Sequence, residues 1–535
     1  MEQNRPERDF QPVPSRQSAL STQREPFVPP RQVLDQVDGR FLDPGTALAV
    51  KGVRPRSTVY VGPRLIVADT PDSERVIEQL QEVADSLGWV ATVHQDTEET
   101  EDTEYRGQDG SRDGVPGVVR LDLSVKDDTA TLAPDGWVLL QNSRAKYGLA
   151  PMRRVGLDHI VLLRSLDSTP FHHSSPFHHS SPASVGASDP VSSYGVPGSG
   201  GRQPIGYAGP APLRRGDGDV TGRRPVVATL DTGCGEHDWL KKAVSRGPDV
   251  DGGPIGYVDD ATDPEKWFDQ VGALDGGIDP LAGHGTFIAG LIHQACPDAD
   301  IVTWRAVGSD GPIVESDLIK ALRGIAKLVR RHRDGEPDGL AIDVFSLSMG
   351  YYHETPEDLL FDPTMYDILR LMGDCGVAVI CSAGNDATAR PMFPAAFAPW
   401  ADGKGGVPAT ADTVPIVSVG ALNPNGTDAL FSNAGPWVRA YAPGAALMST
   451  LPPGFQGGLQ PAARSEAYMR VRESIDPDDF SGGFALWSGT SFSAPLFAGK
   501  VAARLVDKVD PTADDRSAAV ARAWQALTGV TDLKS

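Results

Sequence analysis

From about residue 223 to the C-terminus, apolar runs of four to six residues alternate with stretches at helical spacing. The runs are Val226–Leu230, Ile301–Arg305, Ile342–Leu347, Val377–Ser382 and Pro415–Val419, and the stretches include Gly285–Gln294, Val314–His332 and Pro356–Met372. A strand that is apolar on both sides must be covered on both sides, and a helix returning the chain after each strand provides the cover. The pattern predicts parallel β-α-β units over residues 223–532: an α/β fold with a parallel sheet in a three-layer sandwich.

The remainder divides by composition. Residues 1–35 are polar and proline-rich and read as a disordered tail. Residues 36–165 carry a small α/β pattern, with Ser57–Gly62, Arg64–Ala68, Trp89–His94, Val118–Val125, Trp137–Gln141 and His159–Leu163 as expected strands. Thr70-Pro71-Asp72 reads as a helix start with Thr70 as N-cap. Val76, Leu80, Val83, Ala84 and Leu87 follow at helical spacing, and Gly88 ends the helix. The acidic run at 95–113 reads as a solvated loop. Residues 166–222 turn to Ser, Pro, Gly and His. A direct repeat over Phe171–Pro182 holds His172, His173, His178 and His179, and the segment reads as a flexible linker rather than a metal tract.

Charge excludes several partners. Lys+Arg 49 against Asp+Glu 71 leaves a net −22 with no basic stripe, which argues against nucleic acid and against anionic membranes. No apolar run approaches the roughly 18 residues of a membrane span. The first residues show no basic stretch followed by an apolar one, so no secretory signal is read and the expected location is cytoplasmic. Cys234, Cys296, Cys375 and Cys381 fit free thiols in a reducing compartment.

Three segments carry chemistry. VVATLDTG places Asp231 at the carboxyl end of a strand, where open α/β folds keep functional groups. GHGTFIAG places His284 between two glycines at a helix start. SGTSFSAP places Ser491 at the N-terminus of another helix, where free N–H groups favour a developing oxyanion. Each alone has an ordinary explanation: a turn-capping Asp, a lone His, a Ser-rich N-cap. Together they supply what a serine nucleophile needs, a base and a carboxylate to orient that base.

Residues of about 223–532 resemble the subtilisin-like serine peptidases, or subtilases, through LDTG at 230–233, GHGTFIAG at 283–290, CSAGN at 381–385 and SGTSFSAP at 488–495. The order Asp, His, Ser is the subtilisin order. The resemblance implies a subtilisin-like catalytic domain that hydrolyses protein or peptide substrates through an acyl-enzyme. Asp231 would orient His284, His284 would take the proton of Ser491, and the Asn385 amide with the Ser491 N–H would hold the oxyanion. SLSMG at 346–350 resembles the strand that pairs with substrate, so Ser348, Met349 and Gly350, with Gly311 opposite, are the expected substrate contacts. Ala383, Gly384 and Met392 are expected around the first specificity pocket, with Asp386 at its rim. Phe393-Pro394 resembles a cis-proline segment of the family. No cofactor and no metal are expected.

Departures from the family pattern are Phe287, where many members carry a second His, and two inserts. One lies between Asp231 and His284 and contains DPEKWFDQVGALDGGIDPLA; the other precedes Ser491 and reads as a short helix at the cleft rim. The 36–165 segment is expected to be either a pro-domain that binds its own catalytic domain or a docking domain for a partner protein. The alternative to an endopeptidase is a catalytically silent, peptide-binding pseudoprotease.

Overall fold

The structure, a computed structural model, describes residues 25–94, 114–127, 131–163, 191–272, 274–309, 311–355, 364–510 and 514–534. The acidic run and the histidine repeat lie outside the described residues.

The N-terminal unit comprises α1 (Arg31–Asp35), β1 (Gly39–Leu42), β2 (Thr58–Ala68), α2 (Ser73–Ser86), β3 (Trp89–Val93), β4 (Val118–Val125), α3 (Gly136–Tyr147) and β5 (Val155–Leu162). The strands form an antiparallel sheet in the order β5-β2-β4-β3, with β1 also on β2. One face buries Leu65, Val67, Leu121 and Leu157 against Val76, Leu80 and Trp137 of the two long helices. Three expectations change here. Ser57–Gly62 and Arg64–Ala68 are one strand, β2, whose pairing with β5 shifts register between Tyr60 and Leu65. Trp137–Gln141 is helix, because the Asp135 side chain accepts from Val138 N at 3.1 Å and caps the segment, and Gly148 (φ +91°) ends it. A short apolar run fits a buried helix as well as a strand. Thr70 is not the N-cap of α2: its carbonyl accepts from Ser73 N at 3.0 Å in a preceding turn, and Asp72 takes the cap position.

The second unit contains β6 (Gln203–Pro204), β7 (Val226–Asp231), β8 (Val244–Arg246), α4 (His284–Ala295), β9 (Asp300–Arg305), β10 (Pro312–Val314), α5 (Glu315–Asp334), β11 (Val344–Leu347), α6 (Thr364–Asp374), β12 (Ala378–Ser382), β13 (Val417–Leu422), β14 (Ala440–Pro443), β15 (Leu447–Thr450), β16 (Arg464–Ala467), β17 (Arg470–Glu473), β18 (Phe484–Trp487), α7 (Thr490–Ala503) and α8 (Arg516–Thr528). The main sheet is parallel throughout in the order β14-β13-β12-β11-β7-β9-β8, as the sequence pattern predicts. Two apolar cores sandwich it. One holds Leu318, Leu322, Ile325 and Ile368 of α5 and α6; the other holds Ile288, Leu291, Phe497 and Val501 of α4 and α7. The α4–α7 contact is tight: a Cβ on Gly499 would meet Ala295 Cβ at 2.6 Å.

The N-terminal and C-terminal units share a sheet edge and a core. β10 pairs antiparallel with β5, and Ile66, Val161 and Leu163 are buried with Ile313, Leu318 and Leu322. Parts of two segments expected to be disordered tail and linker are ordered among the described residues. Residues 25–35 include α1, with Leu34 buried, and Glu25 contacts Ser57 and Arg390. Residues 191–222 pack on the second unit. β6 pairs with β18, the Arg202 guanidinium donates to the carbonyls of Ile278, Asp279 and Ala282, and Arg215 pairs with Asp298 at 2.7 Å. Arginine forks satisfying loop carbonyls hold this segment, a mode with no periodic sequence signature. The insert before Ser491 is a β16–β17 hairpin with exposed residues, not a helix.

Candidate active site

β7 is an interior strand of the sheet, and its last residue is Asp231, 1% exposed. The apolar run VVATL is pinned by β9 and β11 on either side, so the carboxylate sits at a fixed point at the carboxyl edge of the sheet. Asp231 Oδ1 accepts from Thr232 N at 2.8 Å and faces His284 Nδ1 at 2.7 Å. His284 is the first residue of α4 and is fully buried. Its neighbour Gly285 is required by this approach, since a Cβ there would lie 2.0 Å from Gly233 O. The His284 ring lies 5.1 Å from that of Phe492 and 5.7 Å from that of Trp487. Phe287, at the departure from the family pattern, packs tilted against the same Phe492 with ring centroids 4.5 Å apart.

Ser491 is the second residue of α7. Ser348 Oγ donates to Ser491 O at 3.0 Å, and Ser491 Oγ is turned to Ser348 O at 3.4 Å. His284 Nε2 is buried and makes no hydrogen bond with a described residue. The Asp–His pair is therefore closed, while the Ser–His bond is open, a looseness common where no substrate is bound. Asn385 Oδ1 accepts from Thr490 N at 2.8 Å and Thr490 Oγ1 at 2.9 Å. Those two donors fix which end of the amide is oxygen and orient Nδ2 as the other end.

A cavity beside these residues is lined by Ser348, Met349, Gly350, Gly384, Asn385, Asp386, Met392 and Ser491, with Phe27 from the N-terminal segment on its rim. Phe27 N donates to Asp386 Oδ1 at 3.3 Å, and the Tyr352 hydroxyl donates to Asp386 Oδ2 at 2.7 Å. Ala383 does not line this cavity: it lies in the core, with its N–H on Val419 O and its carbonyl accepting from Asn433 Nδ2. The Phe393-Pro394 peptide is cis.

The cleft holds a strand of the chain itself. Leu162 and Gly350 exchange backbone hydrogen bonds of 2.9 and 3.1 Å, and Leu163 N donates to Gly311 O at 3.2 Å. The end of β5 thus lies between the two backbone edges expected to hold substrate, adding a strand by main-chain bonding.

Residues 222–524 match the family model described as the Subtilase family, more than half of the chain. This chain belongs to the subtilase family. It is 26% identical over 297 residues to an intracellular serine protease of Paenibacillus polymyxa, covering 52% of this chain and 66% of that one. It is 24% identical over 310 residues to the major intracellular serine protease of Bacillus subtilis, covering 55% and 78%. A third relative, an extracellular protease of Xanthomonas campestris, is 27% identical over 313 residues, covering 55% and 46%. The chain thus spans about half to three quarters of these relatives' lengths.

In this subtilase the contact between units buries charged groups that lie far apart in the chain. His159 of β5 is fully buried, with Nδ1 2.5 Å from Glu315 Oε2 and Nε2 2.8 Å from Glu354 Oε2. Burial alone would lower the His159 pKa; the facing carboxylates, Glu315 and then Glu354, outweigh it and raise it from 6.5 to about 10. Next to it, Asp158 accepts from Ser316 N and Ser316 Oγ at 2.9 Å each and caps α5, while burial pushes its carboxyl up to about 6. His353 packs beside His159 with ring centroids 5.1 Å apart, and burial drives its pKa down to about 3, which keeps it neutral. Among the described residues no helix is long and apolar enough to cross a membrane.

Proposed function

We propose that this subtilase is a serine endopeptidase in which Ser491 attacks the scissile carbonyl, His284 carries the proton and Asp231 holds the imidazole. The observation that carries the reading is the buried 2.7 Å contact between Asp231 Oδ1 and His284 Nδ1. It fixes the tautomer so that Nε2 is the acceptor, and Nε2 is the nitrogen left without a described partner. A rotation of Ser491 Oγ away from Ser348 O brings its proton to that acceptor. The leaving amine then takes the same proton, and water repeats the sequence on the acyl-enzyme. The Ser491 N–H at the start of α7 and the Asn385 amide are placed to stabilise the oxyanion. Asn385→Ala is expected to lower kcat by about 10²–10³-fold with little change in KM, as read with a fluorogenic peptide.

The N-terminal unit is proposed as the regulator of the same site. Its support is the seating of Leu162 and Leu163 on Gly350 and Gly311, which leaves no room for a second peptide on those edges. Self-cleavage is expected C-terminal to Leu163 and is read by intact mass over time. The pseudoprotease reading rests on the open Ser491–His284 bond. It predicts peptide binding without turnover after the N-terminal unit is removed, whereas the endopeptidase reading predicts turnover. Two relatives are named as intracellular and one as extracellular. We place this chain with the former, in the cytoplasm, and a mostly extracellular distribution on cell fractionation would contradict that placement.

A further inference from the structure

Glu265 lies in the insert between Asp231 and His284 and is 3% exposed. Its carboxylate binds both sides of the Asp–His pair. Oε1 accepts from Thr232 Oγ1 at 2.5 Å and from Gly285 N at 2.9 Å; Oε2 accepts from Thr286 N at 3.3 Å and from the Thr286 hydroxyl. Thr232 follows Asp231 in sequence and Gly285 follows His284, so one buried carboxylate ties the end of β7 to the start of α4. Thr286 Oγ1 extends the network by accepting from Gly235 N at 2.7 Å.

The Thr232 hydroxyl has one hydrogen and two acceptors within reach: Glu265 Oε1 at 2.5 Å and Asp231 Oδ1 at 3.2 Å. The shorter contact takes it. A donor removed from Asp231 leaves more negative charge to stabilise the imidazolium that forms at His284, because hydrogen bonds to a carboxylate draw off its basicity. We propose that Glu265 is a positioning residue for the Asp231–His284 pair, fixing Gly285 and Thr232 and keeping the Thr232 proton off Asp231. The proposal rests on the endopeptidase reading above. It concerns a carboxylate that touches neither substrate nor the reacting atoms. Burial raises the Glu265 carboxyl to about 7 against its donors, which favour the charged form, so the carboxylate makes the tie in full only above that pH.

The test is a double-mutant cycle in the full chain, with Glu265→Gln, Thr232→Val, both together, and Ser491→Ala as the blank. The readouts are the first-order rate of self-cleavage and, for the processed enzyme, kcat and KM on a fluorogenic peptide. Glu265→Gln presents an amide to donors that need an acceptor, and the freed Thr232 hydroxyl turns to Asp231. Both kcat and the self-cleavage rate are expected to fall about 10–100-fold with KM within about twofold, the range for losing hydrogen bonds to a charged group. The same substitution in the Thr232→Val background is expected to cost less than about threefold, since no hydroxyl remains to switch. A Glu265→Gln enzyme with kcat within about twofold of wild type overturns the proposal, whatever its melting temperature, and so does strict additivity of the two changes. If Glu265→Gln does not fold, Glu265→Asp decides, since a carboxylate one methylene shorter cannot hold Thr232 and Gly285 together: a kcat at least about tenfold down supports the link, and an unchanged one overturns it. A wild type no faster than Ser491→Ala removes the endopeptidase reading itself, an outcome distinct from a fast wild type matched by Glu265→Gln.

Discussion

Replacing Ser491 by Ala is expected to reduce peptide hydrolysis by about a millionfold in kcat and to leave the full chain uncut indefinitely. The size of the effect follows from the division of labour in the site. The Asp231–His284 pair has nothing to deprotonate once the hydroxyl is gone, and water at that position lacks the orientation that α7 gives Ser491 Oγ. What survives is the oxyanion cradle of the α7 N-terminus and Asn385 with substrate binding, worth roughly 10³–10⁴ over solution. The fold should be unaffected, because among the described residues the buried Ser491 hydroxyl makes one long hydrogen bond, 3.4 Å to Ser348 O. Intact mass over days and a fluorogenic assay on the purified variant check both halves.

Replacing His159 by Ala is expected to release the N-terminal unit. The substitution leaves Glu315 and Glu354 buried without their counter-charge, a loss of about 3–5 kcal/mol when one partner of a buried pair is removed. That weakens docking by roughly 10²–10⁴-fold. Initial hydrolysis of a fluorogenic peptide by the freshly purified full chain should rise accordingly, and tryptic cuts should quicken at Arg153 and Arg154, the basic residues just before β5. The same contact gives docking a pH dependence. The His159 pKa is raised in the docked state, so its contribution is complete below the ordinary value of 6.5 and is lost as pH rises through about 10. Docking should therefore loosen by about tenfold per pH unit between roughly pH 7 and 10, and not on acidification through that group. A His159→Ala chain whose initial rate equals that of wild type at pH 7 and pH 9 contradicts this account of the contact.

Much of the second unit was legible in the sequence because its signals are local and repeated. Apolar runs such as Val226–Leu230 and Ile301–Arg305 carry strand identity in themselves, and β7 and β9 start and stop within a residue of those bounds. Asp231 and His284 are 53 residues apart in the chain and 2.7 Å apart in space. Nothing in composition brings them together, but the flanking glycines and the order of the motifs do. What stayed hidden depends on partners distant in sequence. His159 meets carboxylates 156 and 195 residues further on, and from its own neighbours it reads as one polar residue in an apolar strand. Glu265 sits in an irregular insert with no period to reveal its burial. Residues 191–222 look like linker because Gly, Pro and Ser dominate, yet Arg202, Arg214 and Arg215 bind them to backbone carbonyls and to Asp298 and Asp300. Trp137–Gln141 failed differently: five apolar-rich residues satisfy strand and buried helix alike, and the deciding signal was the Asp135 cap just before them.

The central claim is that Ser491 is a nucleophile activated by His284 and Asp231. Its most direct test is labelling with a fluorophosphonate at neutral pH, followed by peptide mapping, on wild type, Ser491→Ala and the chain lacking residues 1–190. The account predicts a single adduct on Ser491 that grows as wild type is cut beyond Leu163, forms at once in the shortened chain, and never forms in Ser491→Ala. A folded shortened chain that binds peptide but acquires no adduct on Ser491 would contradict it and leave a cleft that binds without cutting.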